Sequence, residues 1–192
     1  SGAAGLILED QVWPKKCGHM KNKDVISIEE MEGKIKAAVE SRIAEHSDLV
    51  IVARTDSLAV EGLDNAISRV KTYQKAGADI LFIEAPNQID DLKEINSKIE
   101  MPLLLNQIEG GHTPIISLED AHRLGFKIIL FPLTALYAST KAIFDVFTGL
   151  MNKQTSTGLE NKLITFDLFN ELVNYDEFIK LEKNFSANNI NK

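Results

Sequence analysis

Residues 49–56 read Leu49-Val50-Ile51-Val52-Ala53-Arg54-Thr55-Asp56: five apolar residues without a break, then three polar ones. So short and unbroken a run is the pattern of a strand buried on both faces, as in a parallel sheet covered by helices. The signature recurs at Leu6-Ile7-Leu8, Ile80-Leu81-Phe82-Ile83, Leu103-Leu104-Leu105 and Ile128-Ile129-Leu130-Phe131. Helical spacing fills the intervals. Ser27 with Glu30 forms a capping box, followed by Ile28, Met31, Ile35, Val39 and Ile43. Further helices are expected over Gly62 to Ala76, stopped by Gly77, over Ile89 to Ile99, from Ser117 to Gly125, and over Leu133 to Leu150. Strand and helix alternate five times, which is the pattern of an α/β fold with parallel strands.

An open doubly wound sheet and a TIM-type (β/α) barrel both fit that alternation. The strand ends separate them. Glu9-Asp10-Gln11, Arg54-Thr55-Asp56, Glu84 and Asn106 each follow an apolar run. Polar groups at successive strand ends are how a barrel builds its site, whereas an open sheet gathers its ligand contacts at one switch point. The sequence also lacks a Gly-x-Gly-x-x-Gly stretch. Residues 1–150 are therefore expected to form part of a (β/α) barrel. Residues 151–192 are expected to form a polar linker, two short helices over Thr165 to Val173 and Asp176 to Lys183, and a frayed tail from Ser186 on.

The chain has 192 residues, 44% apolar and 26% charged, enough apolar surface for a core. It shows no run of about 18 apolar residues, so no membrane span is expected. A net charge of −7 argues against a nucleic-acid partner. The single cysteine, Cys17, excludes a disulfide framework and suits a reducing, cytoplasmic setting.

The chemistry-bearing residues gather at the strand ends. Pro14-Lys15-Lys16-Cys17-Gly18-His19 places a thiol between ammonium groups and an imidazole, the surroundings of a reactive cysteine. Lys15, Lys16 and His19 could hold an anion, and Gly18 lets the backbone come close to a ligand. Arg54 suits carboxylate recognition, or an ion pair with Asp56 or another carboxylate. Glu84 could work as an acid or base, or pair with Arg54. Glu9 and Asp10 could face a hard cation, or cap and pair. Asn106 precedes Glu109-Gly110-Gly111-His112, a tight loop in which His112 reads equally as ligand contact or solvated residue. Trp13 is expected to pack.

Leu8-Glu9-Asp10-Gln11, Lys15-Lys16-Cys17-Gly18-His19, Ala53-Arg54-Thr55-Asp56, Phe82-Ile83-Glu84-Ala85-Pro86, and Asn106 with Glu109-Gly110-Gly111 resemble the isocitrate lyase/phosphoenolpyruvate mutase superfamily. Within it they resemble the branch of methylisocitrate lyase, dimethylmalate lyase and the petal death protein. The resemblance implies a Mg²⁺-dependent barrel that cleaves a C–C bond of a 2-hydroxy di- or tricarboxylate to an α-keto acid and a dicarboxylate. It implies Cys17 as general acid, with Lys15 and His19 stabilising charge and orienting a gating loop. Arg54 would bind the keto-acid carboxylate, Glu84 and Asn106 the other fragment, and Glu9 would face Mg²⁺ through water. It further implies a homotetramer with C-terminal helix exchange, for which Leu168, Phe169, Leu172, Phe178 and Leu181 offer an apolar face.

The departures are as specific. The superfamily's Asp-x-Asp-x-Gly metal element has no match, and the first unit here corresponds to a fourth strand. A whole barrel takes eight units and roughly 250 residues. A longer gene, a second chain completing the barrel, or a truncated paralogue would each account for this. Two rival functions follow: a non-catalytic assembly component, and an oxaloacetate decarboxylase of the same superfamily.

Overall fold

The structure is a computed structural model that describes residues 2–186; most of the expected frayed tail lies outside them. Five strands alternate with helices: β1 (Gly5–Glu9), α1 (Ile28–Ala44), β2 (Val50–Thr55), α2 (Leu58–Glu61), α3 (Leu63–Lys75), β3 (Ile80–Ile83), α4 (Ile89–Lys98), β4 (Leu103–Asn106), α5 (Leu118–Arg123), β5 (Phe126–Leu130) and α6 (Thr134–Lys153). A 3₁₀ turn (Glu160–Lys162), α7 (Phe166–Leu172) and α8 (Tyr175–Phe185) follow. The chain divides into two compact units, residues 1–135 and 136–192.

In the first unit the strands are all parallel and lie in the order β1-β2-β3-β4-β5. Sequential order is what a barrel segment requires; a doubly wound sheet reverses direction at its switch point. The fold is the (β/α)-barrel type expected, present as five units.

Strand periodicity gives the sheet two apolar faces. Ala53, Leu81, Ile83, Leu103 and Leu105 point toward the helices and join Met31 and Ile35 of α1, Val70 and Tyr73 of α3, and Leu92 and Ile95 of α4 in the main core. Val52, Phe82 and Leu104 form a smaller cluster on the opposite face. Two residues further along the same face come Arg54, Glu84 and Asn106, with Glu9 beside Arg54 in register. The alternation that builds the small cluster therefore also delivers the polar groups to one edge.

Local signals behave as chemistry dictates. Ser27 accepts from the Glu30 amide at 3.1 Å and caps α1, while the Glu30 carboxylate pairs with Lys34 instead of closing the box. Gly77 has φ +104°, and a Cβ there would stand 2.9 Å from Val39 Cγ2. Most bounds shift by a residue or two, and three elements depart further from expectation. β5 starts at Phe126, because Lys127 points outward from a strand that is only half-buried. The four-residue α2 carries no periodicity to announce it. Helix α6 continues through Met151 to Lys153 before Gln154 turns with φ +54°.

In the second unit α7 is capped by Thr165, which accepts from the Leu168 amide, and packs with α8. Neither helix has a buried residue.

Candidate active site

The C-terminal ends of the strands surround a cleft of about 380 Å³ whose walls include Glu9, Cys17, Gly18, Arg54, Glu84 and Asn106. Arg54 is the centre of its electrostatics. Its guanidinium meets Asp56 through two hydrogen bonds, Nε to Oδ2 at 2.8 Å and Nη2 to Oδ1 at 3.0 Å. Nη1 lies 3.6 Å from Glu84 Oε2, Nε lies 3.7 Å from Glu9 Oε2, and the group sits 5.1 Å above the Phe82 ring. Burial works against the Arg54 charge, but the carboxylates of Asp56, Glu84 and Glu9 outweigh it and push its pKa upward. The ion pair with Asp56 and the approach to Glu84 are therefore both present, with Arg54 in the cleft wall.

Glu84 is buried. Burial alone would raise its pKa; the contacts from His19, Arg54 and Asn106 overcome this and hold it below the ordinary carboxylate value. Asn106 Nδ2 donates to Glu84 Oε1 at 3.2 Å. His19 Nε2 stands 3.1 Å from the same oxygen without a well-aligned hydrogen bond. Among the described residues four buried side-chain polar atoms lack a hydrogen-bond partner: Glu9 Oε1, His19 Nε2, Asn106 Oδ1 and Thr113 Oγ1. The first and third lie in the cleft walls, and the second touches the Glu84 wall. Two of these atoms are nevertheless in ion pairs, His19 Nε2 with Glu84 and Glu9 Oε1 with Lys15. Asn106 Oδ1 is the cleft acceptor left without a partner, and so costly an atom marks a place for a hydrogen-bond donor.

The cysteine loop is tied down at its base. The Gln11 side chain pairs both ways with the Lys16 backbone at 2.8 Å. The buried Lys23 ammonium donates to the carbonyl oxygens of Gly18 and Met20. Gly18 rests on the site: a Cβ there would fall 2.3 Å from Glu84 Cγ and 2.6 Å from Arg54 Nη2. Cys17 is exposed at the cleft rim. Lys15 Nζ lies 3.3 Å from Glu9 Oε1, and the Lys16 ammonium, although at the cleft, donates to the Asn22 carbonyl.

Three features were not legible. Asp10 is no cation ligand. It is fully buried and accepts from Thr55 Oγ1 at 2.6 Å, the Asp56 amide at 2.9 Å and Tyr73 Oη at 2.8 Å, with Arg69 Nη1 at 3.5 Å. Arg69 and Tyr73 lie within the helical pattern of α3, and only burial reveals their polar role. Trp13 does not pack as expected; it is 83% exposed. His112 is bound to His19 by two hydrogen bonds across loops far apart in sequence.

Of the two carboxylates offered as cation ligands, Glu9 lines the cleft, and its Oε1 is ion-paired with Lys15. Among the described residues no group of three or more His, Cys, Asp or Glu could hold a metal ion. The residues described here do not by themselves make a Mg²⁺ site.

The phosphoenolpyruvate phosphomutase family profile matches residues 1–151. The chain belongs to this family, within the phosphoenolpyruvate mutase/isocitrate lyase superfamily. It is 45% identical over 156 residues to 2,3-dimethylmalate lyase of Eubacterium barkeri, covering 81% of this chain and 53% of that protein. It is 49% identical over 153 residues to the chloroplastic carboxyvinyl-carboxyphosphonate phosphorylmutase of Arabidopsis thaliana, covering 78% and 44%. The crystal structure of a 2,3-dimethylmalate lyase superposes with a TM-score of 0.87 at 33% identity, over 95% of this chain and 60% of that one. The chain thus spans about half the length of the curated relatives it matches.

Proposed function

We propose that this family member contributes to a carbon–carbon lyase acting on a 2-hydroxy di- or tricarboxylate of the dimethylmalate or methylisocitrate kind. The observation that carries the reading is the convergence of Glu9, Arg54, Glu84 and Asn106 from four neighbouring strands on one strand-end cleft whose wall includes Cys17. The first-named relative, a dimethylmalate lyase, supports the same class.

Cleavage breaks the bond between the hydroxyl-bearing carbon and its neighbour. The hydroxyl proton passes to the Glu9 carboxylate, and the carbonyl of the α-keto acid forms. The bonding pair stays on the other fragment and needs a proton. Cys17 at the rim supplies it as general acid. The Arg54 guanidinium holds the keto-acid carboxylate, His19 Nε2 donates to the second fragment, Asn106 Oδ1 accepts from the substrate hydroxyl, and ionised Glu84 keeps the His19 and Asn106 side chains in place. Lys15 and Lys16 attract the anion.

Charge balance favours a divalent cation in the whole protein. Glu9, Asp56 and Glu84 already offset Arg54, Lys15 and Lys16, so an incoming dicarboxylate needs further positive charge. Mg²⁺ would supply it, with Glu9 facing the ion and other ligands coming from outside residues 2–186. A cytoplasmic homotetramer is part of the same proposal.

The test is an assay of α-keto acid release from 2,3-dimethylmalate, 2-methylisocitrate, isocitrate and oxaloacetate with Mg²⁺, using the product of the complete reading frame. Release from one of the first three is expected. Folded protein that releases nothing from any of them overturns the reading, and oxaloacetate alone would point to decarboxylation. Cys17→Ser should lower kcat about 10²- to 10⁴-fold with substrate binding retained; unchanged kcat removes the general-acid role. The absence of a metal-holding cluster among the described residues favours one rival, a non-catalytic assembly component. Tight Mg²⁺ binding by titration calorimetry would contradict it.

A further inference from the structure

We propose that His112, presented by the loop after β4, is a positioning residue that latches the Cys17 loop over the cleft before substrate arrives. Its backbone N–H donates to His19 Nδ1 at 2.9 Å, and its Nε2 meets the His19 carbonyl oxygen at 3.1 Å. The two imidazoles stack with centroids 5.7 Å apart and an interplanar angle of 11°. One residue of the cysteine loop is thus gripped at its ring and at its backbone by one residue of the facing loop.

The grip is selective for one form of His19. With Nδ1 accepting from a backbone amide, the ring proton resides on Nε2, the nitrogen that stands 3.1 Å from Glu84. The latch therefore fixes which ring nitrogen faces Glu84. The latching loop is itself braced. The buried Gln107 side chain pairs both ways with the Ile116 backbone, at 2.7 and 3.2 Å. Room for the contact comes from Gly111, where a Cβ would fall 2.7 Å from His19 Nδ1.

A latch of this kind sets the fraction of molecules whose Cys17 loop is already closed. If that fraction falls, substrate must spend binding energy on closing the loop, and apparent affinity drops in proportion. The expected kinetic signature of His112→Ala is a KM raised about fivefold, the worth of one hydrogen bond, with kcat retained. A merely structural lesion would lower kcat through loss of active protein and leave KM alone. His112→Gln, whose amide can reach the same carbonyl, should restore KM.

This kinetic arm rests on the lyase reading; hydrogen exchange by mass spectrometry does not. In the complete protein, His112→Ala should speed exchange of the amides in residues 17–20 about fivefold. Gly111→Ala, which displaces His19, should in addition deprotect the residue 112 amide. Unchanged exchange in both variants overturns the latch, as does a rise shared equally by the β2 and β3 amides. A fall in kcat with unchanged KM also overturns it. If no form shows activity, wild type included, the lyase reading fails and exchange alone decides the latch.

Discussion

Glu9 and Asp10 are adjacent carboxylates with opposite fates. The strand directs Glu9 to the cleft face and Asp10 to the helix face, so a period of two separates a candidate site residue from a structural hub. Asp10 gathers Thr55, the Asp56 amide, Tyr73 and Arg69, and through the Asp56 amide it holds the turn that carries the partner of Arg54. Burial, with Asp10 adding to it, raises the Tyr73 pKa and keeps the phenol protonated as a donor. Asp10→Asn removes the charge that Arg69 faces and turns an amide toward donors. The expected loss is about 3 kcal/mol in urea denaturation. Glu9→Gln, whose ion pairs are longer and partly open to solvent, should change stability by about 1 kcal/mol or less. Equal losses would remove the distinction. The sequence offered both carboxylates as cation ligands and could not tell them apart, because the donors to Asp10 come from residues 45 to 63 positions away.

At the scale of elements, what the sequence made legible was local. Apolar runs marked all five strands, and Ser27, Thr165 and Gly77 marked helix ends through interactions spanning three or four residues. Glu9, Arg54, Glu84 and Asn106 were legible because strand ends are themselves a local feature. The His19–His112 contact, with a separation of 93 residues, was not. The helix ends can be tested directly. At Gly77, φ +104° and the Val39 side chain both oppose a Cβ. Gly77→Ala should therefore cost about 1–3 kcal/mol in the chemical unfolding of the first unit. Asn at the same position tolerates positive φ better, but its Cβ meets Val39 as well, so it should recover only part of the loss. Full recovery by Asn would assign the cost to backbone conformation alone.

For the whole molecule, the last two helices pose the clearest energetic question. With 7 and 11 residues, α7 and α8 fall below the length at which isolated helices persist in water, so packing must hold them. They pack on each other, yet Phe166, Leu172, Phe178 and Phe185 are each at least 70% exposed, and Leu168, Phe169 and Leu181 about half. Fully burying one such side chain contributes about 1.5–3 kcal/mol, so a face with four such side chains largely exposed and three half-exposed leaves much hydrophobic stabilisation unused. A second copy of the chain covering this face is the proposed resolution. Sedimentation equilibrium on the complete protein should give the mass of a multimer, a tetramer if helix exchange is reciprocal between two pairs. Placing charge in the face with Phe169→Glu and Phe178→Glu should lower that mass while leaving the far-ultraviolet circular dichroism of the five-stranded unit in place. A monomeric wild type, or a variant with undiminished mass, would show that these helices find their apolar partner elsewhere.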